Sequence, residues 1–425
     1  MAKHRKNKSN DINDEANDSG LENNFQRRSN NSIVWPIFII GFIVIILSLS
    51  SAVFPGVLIS ITGDGEFLEP FEMSSLGIPI IIINIISISL IILYSRQSLP
   101  KSFVDCIKNV FSFELSNKNS LLLLIIILAI YIAISASELS IYEVNQYGDF
   151  LVVENALRIW PDGESENVYV TEQLTRHVRM ALLVASDEIF DNVKVIPFLA
   201  SIFLLITTYF ITIKFSKKNF TGLIAVILVL QSSTFLTYDT IAVYENFWVL
   251  FYVFSIYLIF KKPKFSSVFF ILSIFSKAIF VLWLPISILV TLLSDIPKNK
   301  KIFVITTHIV VIIISLIIFQ YSDAVYGNVI DIEVSEFWIG FTTLASNLRF
   351  DIVLLLLLLP VSAGLFLKAR NGSKNSISLI VLISGTILVT PILEMITDYY
   401  FVYPYRYVPL VVFFAIGLST LFSKK

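Results

Sequence analysis

Residues 195–264 read VIPFLASIFLLITTYFITIKFSKKNFTGLIAVILVLQSSTFLTYDTIAVYENFWVLFYVFSIYLIFKKPK. Three apolar runs, 195–213, 220–237 and 246–260, are separated first by a basic link with Lys214, Lys217 and Lys218. The second separator is an acidic turn with Asp239 and Glu245 and no Lys or Arg. A hydrocarbon layer of about 30 Å takes roughly 20 apolar residues as helix. Lys and Arg stay preferentially on the cytoplasmic side. The stretch therefore predicts three successive crossings, lysines inside and the acidic turn outside.

Comparable runs lie at 33–52, 77–95, 120–137, 302–320, 352–367, 376–394 and 407–422. The segment 265–294 sits between two basic clusters, KKPK (261–264) and KNKK (298–301), which belong on one face. Its length as helix, about 45 Å at 1.5 Å per residue, suits a shallow hairpin of two short helices meeting near Ser276-Lys277. The chain is thus expected to be an all-α polytopic membrane protein with about twelve transmembrane helices and both termini cytoplasmic. Of its 31 Lys and Arg, this threading leaves only Arg158, Arg176, Arg179, Lys194, Lys277, Arg349 and Arg406 on the outer face.

Composition agrees: 56% of the 425 residues are hydrophobic and the mean hydropathy is +0.80, above the 45–50% apolar share usual for soluble domains. The polar segment 1–32 cannot bury enough surface to fold and reads as a disordered cytoplasmic tail. A hairpin over 33–95 precedes a transmembrane domain over 119–425, and 102–113 reads as an interfacial amphipathic helix. Cys106 is the single cysteine, so no internal disulfide forms. His4, His177 and His308 are too scattered for a His-based metal site. His308 falls within a crossing, where a neutral ring hydrogen-bonded between helices is expected. Walker A, GxGxxG and HExxH patterns are absent, and nothing points to nucleic acid.

Three outer segments, 53–76, 138–194 and 321–351, exceed what a connection needs. The largest contains YGDFLVVENALRIWPDG (147–163), where a short helix is expected from Phe150 to Trp160, with Glu154 and Arg158 spaced i,i+4 before a Pro-Asp-Gly stop. Asp149 fits either a helix cap or a working carboxylate facing the membrane surface. Glu143 and Glu154 are alternatives for that work. Asp239 and Glu245 reach the same surface. Lys277 is the sole charge in a long apolar stretch, and Arg406-Tyr407 lies in the aromatic run YYFVYPYRYVP (399–409). Cations at that depth need a partner, either a carboxylate or an anion such as a lipid-borne phosphate.

These residues, in this order, resemble the membrane glycosyltransferases of the GT-C fold, the group of protein O-mannosyltransferases and aminoarabinose transferases. YGDFLVVENALRI is similar to the start of that family's first outer loop, the 194–262 stretch to its next three spans, LSIFSKAIFVLWLP to its short hairpin, and YRYVPLVVFFAIGL to its last helix. The resemblance covers about 119–295 and returns near 399–422. It departs where Asp149 is followed by Phe150 instead of Glu, and where Thr175-Arg176-His177 replaces a His-Pro-Pro stretch. The resemblance implies a folded, partly helical first outer loop and transfer of a sugar from a polyprenyl-phosphate carrier to a protein, lipid or glycan acceptor. It implies Asp149 as general base, Glu245 or Asp239 as a second acid or holder of a divalent cation, and Lys277 and Arg406, with Glu154 and Tyr407, as substrate-binding residues. A transporter or flippase and an inactive membrane scaffold are the competing expectations.

Overall fold

The computed structural model describes residues 34–62, 69–160, 177–321, 332–396 and 403–423. Helix is the only regular structure among them. The tail at 1–32, the Pro161-Asp162-Gly163 stop and Thr175-Arg176 lie outside the described residues.

Helices α1 (Val34–Val53), α2 (Gly56–Thr62) and α3 (Gly77–Ser95) make the N-terminal hairpin, and α4 (Lys101–Ser112) leads into α5 (Asn117–Ser135). Ser116 caps α5 by accepting the Asn119 N–H, and its end tightens into a 3-10 turn over Ala136–Ser140. The long loop between α5 and the 195–216 helix carries α6 (Phe150–Ile159) and α7 (His177–Phe190). The three runs at 195–260 become α8 (Val195–Ser216), α9 (Asn219–Leu230) with its short continuation α10 (Ser233–Tyr238), and α11 (Phe247–Lys261). Lys217, at φ +62°, turns the chain between α8 and α9. The segment 265–294 becomes two short helices, α12 (Pro263–Ser276) and α13 (Leu284–Leu293), joined by a 3-10 segment, Ala278–Trp283. Extended backbone at Lys277 (φ −157°, ψ 111°) makes the break where it was expected. Helices α14 (Lys298–Tyr321), α15 (Val334–Leu348), α16 (Ile352–Arg370), α17 (Lys374–Ile396) and α18 (Val408–Thr420) complete the chain.

Seven of these, α1, α3, α5, α8, α14, α16 and α17, are long and apolar enough to cross a membrane. The other expected crossings are shorter apolar helices: α9, α11, α12, the 278–293 element and α18. Helix α15 was not foreseen. It buries Gly340, Phe341 and Leu344, and a Cβ at Gly340 would stand 2.6 Å from the Pro391 Cα of α17.

The core gathers around the shorter helices. Trp248 and Trp283 are fully buried with Tyr252 and Phe280, and Phe280 stacks on Trp283 at 4.3 Å. Helices α3, α5 and α14 lie at the periphery, with no more than 22% of their apolar windows buried. The N-terminal hairpin packs on the C-terminal helices: Phe38 stacks on Phe366 at 3.8 Å. Helix α4 buries none of its residues and is tied down at its end, where the Lys218 ammonium donates to the Phe111 and Phe113 carbonyls and Glu114 accepts the Asn219 N–H at 2.9 Å. His308 sits between helices as expected, with Nδ1 2.8 Å from Val304 O and 3.0 Å from Ser267 Oγ of α12.

Candidate functional site

The acidic turn between α10 and α11 is held by two side chains of the loop between α5 and α8. Glu143, in a 3-10 turn just beyond α5, accepts the N–H groups of Ala242 (2.9 Å) and Val243 (2.7 Å), one on each carboxylate oxygen. Arg179 of α7 donates from Nη2 to the carbonyls of Val243 (2.8 Å) and Ala242 (3.4 Å). Its Nε lies 3.0 Å from Glu245 Oε2 in an ion pair that is close without a well-aimed hydrogen bond. Burial raises the Glu143 carboxyl above the usual carboxylate range, opposed by the Val243 and Ala242 N–H groups and by Lys194 and Arg179. The backbone N–H and C=O groups of two consecutive residues, Ala242 and Val243, which no helix or sheet would satisfy in a turn, thus find their partners in charged side chains.

The next residue, Tyr244, extends from this clamp. Its hydroxyl donates to Asp149 Oδ2 at 2.8 Å, and its ring stacks on Tyr405 at 4.6 Å and on Tyr403 at 5.5 Å. Tyr147 and Tyr238 close on it edgewise at 5.2 and 5.7 Å. The Tyr405 hydroxyl oxygen accepts from Lys277 Nζ at 2.6 Å and from Arg406 Nε at 3.3 Å. Lys277 Nζ also stands 3.9 Å from the Tyr405 ring centroid and 5.2 Å from that of Trp248. An aromatic face stabilises a nearby cation through its quadrupole. One continuous chain of contacts therefore runs from an exposed carboxylate, through two stacked tyrosines, to two cations meeting at one phenol oxygen.

The expected residues divide accordingly. Asp149, Lys277 and Arg406 share this chain of contacts. Asp149 precedes α6 without capping it, since its side chain makes no cap hydrogen bond. Glu154 points elsewhere, accepting from the Tyr142 hydroxyl (2.9 Å) and pairing with Arg158 (2.9 Å) at the expected i,i+4 spacing. Glu245 is the buried partner of Arg179. Asp239 is 1% exposed; its Oδ2 accepts from Ser135 Oγ at 3.1 Å, and burial pushes its carboxyl up to about 7. Tyr407 is buried, with Thr390, Asn347 and Arg406 among its polar neighbours. Among the described residues no three His, Cys, Asp or Glu side chains come together as metal ligands.

Sequence reasoning missed Arg179 and the tyrosines at 147, 238, 244 and 405 as a unit. The available signal was an arginine inside the apolar helix HVRMALLV, which needs a partner wherever it is buried. No family model, curated protein or solved structure matches the chain.

Proposed function

We propose that this chain is an extracytoplasmic-face glycosyltransferase of the GT-C kind, moving a sugar from a polyprenyl-phosphate carrier to an acceptor hydroxyl. The observation that carries the reading is the linkage of exposed Asp149, by way of Tyr244 and Tyr405, to Lys277 and Arg406. The Tyr244 hydroxyl holds one oxygen of the exposed Asp149 and does not engage the other. In the proposed step that oxygen takes the acceptor proton, the acceptor oxygen attacks the sugar C1, and the C1–O bond to phosphate breaks. Lys277 and Arg406 meet the charge that grows on the departing lipid phosphate. Glu245 and Asp239 have structural duties in this scheme, and no divalent cation is routed through it. Twelve crossings, cytoplasmic termini, a cell-membrane location, and a bilayer and lipid-linked donor as partners belong to the same proposal.

The test is a transfer assay on purified protein in lipid with a panel of polyprenyl-phosphate sugars, Asp149→Asn alongside. Turnover that disappears in the variant while its membrane level holds supports class and base together. Turnover that survives moves the base to another carboxylate. Absence of both turnover and donor binding in the wild type sinks the transferase reading in favour of a scaffold or transporter.

A further inference from the structure

We infer that Glu143 and Arg179 are positioning residues, which hold the 242–245 turn so that Tyr244 is aimed at Asp149 and Tyr405 together. The inference rests on the proposed site being the working one, but the geometry it uses is independent of any chemistry. A turn between two helices ordinarily leaves its peptide groups to water. Here one carboxylate takes two successive N–H groups and one guanidinium takes the two successive carbonyls. Both clamping side chains are almost fully buried. They come from different parts of the loop between α5 and α8, one just beyond α5 and one on α7. The clamp ends on Val243, the residue before Tyr244, so the direction of the Tyr244 Cα–Cβ bond is fixed by the loop and not by the two helices alone.

Asp149 lies on the same loop, six positions beyond Glu143. Docking of the loop therefore brings in the carboxylate and orients the tyrosine that bridges it to the cations in one event. The α10–α11 turn without its loop has neither. The site becomes complete only when the loop is seated.

Arginine is required for this by geometry as well as charge. Its fork reaches Glu245 through Nε and the two carbonyls through Nη2, whereas a lysine ammonium is a single point that can neutralise Glu245 but not span both directions. That difference supplies the test. The full chain is placed in phospholipid nanodiscs, and amide hydrogen exchange of the peptide covering 239–246 is followed in the wild type, Glu143→Gln, Arg179→Met and Arg179→Lys. Binding of undecaprenyl phosphate is measured on the same samples.

Glu143→Gln and Arg179→Met are expected to speed exchange in the turn by roughly tenfold or more, the scale set by losing a hydrogen bond to a charged group, with the α8 and α11 peptides unchanged. Arg179→Lys is expected to recover thermal stability while the turn still exchanges fast and undecaprenyl phosphate binds more weakly. Full recovery of turn protection in Arg179→Lys would reduce Arg179 to a counter-ion and overturn the inference, as would unchanged exchange in Glu143→Gln. Fast exchange in the variants beside a wild type that binds no undecaprenyl phosphate would instead retire the transferase reading and leave the clamp standing.

Discussion

The Arg179–Glu245 pair offers a double-mutant cycle whose size follows from its geometry. At 3.0 Å, and with an effective dielectric near 20, the attraction is about 5 kcal/mol. Desolvation of both ions offsets much of it. Removing one member of a buried pair nonetheless costs about 3–5 kcal/mol, because the remaining ion keeps its desolvation without its counter-charge. Arg179→Met and Glu245→Gln are each expected in that range. The double variant removes both charges, and its main loss is the pair of carbonyl bonds to Ala242 and Val243, about 1 kcal/mol each. It should therefore be more stable than Arg179→Met alone, a non-additivity of several kcal/mol. The assay is unfolding of purified protein in mild detergent, read by loss of the buried Trp248 and Trp283 fluorescence, with transfer activity measured in parallel. Additive losses, with the double variant the least stable of the set, would refute the ion-pair argument. Recovered stability without recovered turnover is the expected result, because the double variant still lacks the Arg179 bonds that hold the turn.

Three further outcomes are expected. Asp239 carries a carboxyl raised by burial to about 7, in the turn beyond α10, against about 3.9 when unfolded. Between those values the folded chain holds a proton that the unfolded chain has lost, so stability falls as pH rises from about 4 through 7. Thermal midpoints should drop from pH 5 to pH 8, and the slope should flatten in Asp239→Asn. Gly340→Ala would drive a methyl against the Pro391 backbone at 2.6 Å, forcing α15 away from α17 at a cost of about 1–3 kcal/mol; a thermal midpoint equal to wild type would show that the two helices part freely. Cys106, exposed on α4, should react with a membrane-impermeant maleimide only when the cytoplasmic side is opened to it, and labelling of intact cells would invert the proposed orientation.

The sequence exposes those features that depend on neighbours in the chain. Long apolar runs with a lysine at one end or both mark α8 and α17, the Glu154–Arg158 pair follows from helical spacing, and a lone lysine between two short apolar runs marks the break at 277. What escapes is set by residues far apart. Helix α15 owes its burial to Gly340 meeting Pro391, a fit between surfaces that periodicity does not encode. Asp149 satisfies the local rule for a cap, yet Tyr244, 95 positions away, takes its carboxylate. Glu143 and Arg179 bind backbone groups, which have no residue type to search for.

The short central helices have a consequence for the bilayer itself. From Phe247 to Lys261 the helix α11 has 15 residues, about 22 Å at 1.5 Å per residue, against a hydrocarbon thickness of about 30 Å. Helices α9, α12 and α18 are no longer than this, whereas α3, α14 and α17 run the full distance. The long helices α3, α5 and α14, with no more than 22% of their apolar windows buried, form the rim that lipid would meet, so the short central helices stand behind them and need not match the hydrocarbon thickness. A change in membrane thickness would then be taken up by tilt of the peripheral helices, with the short central ones left unstrained.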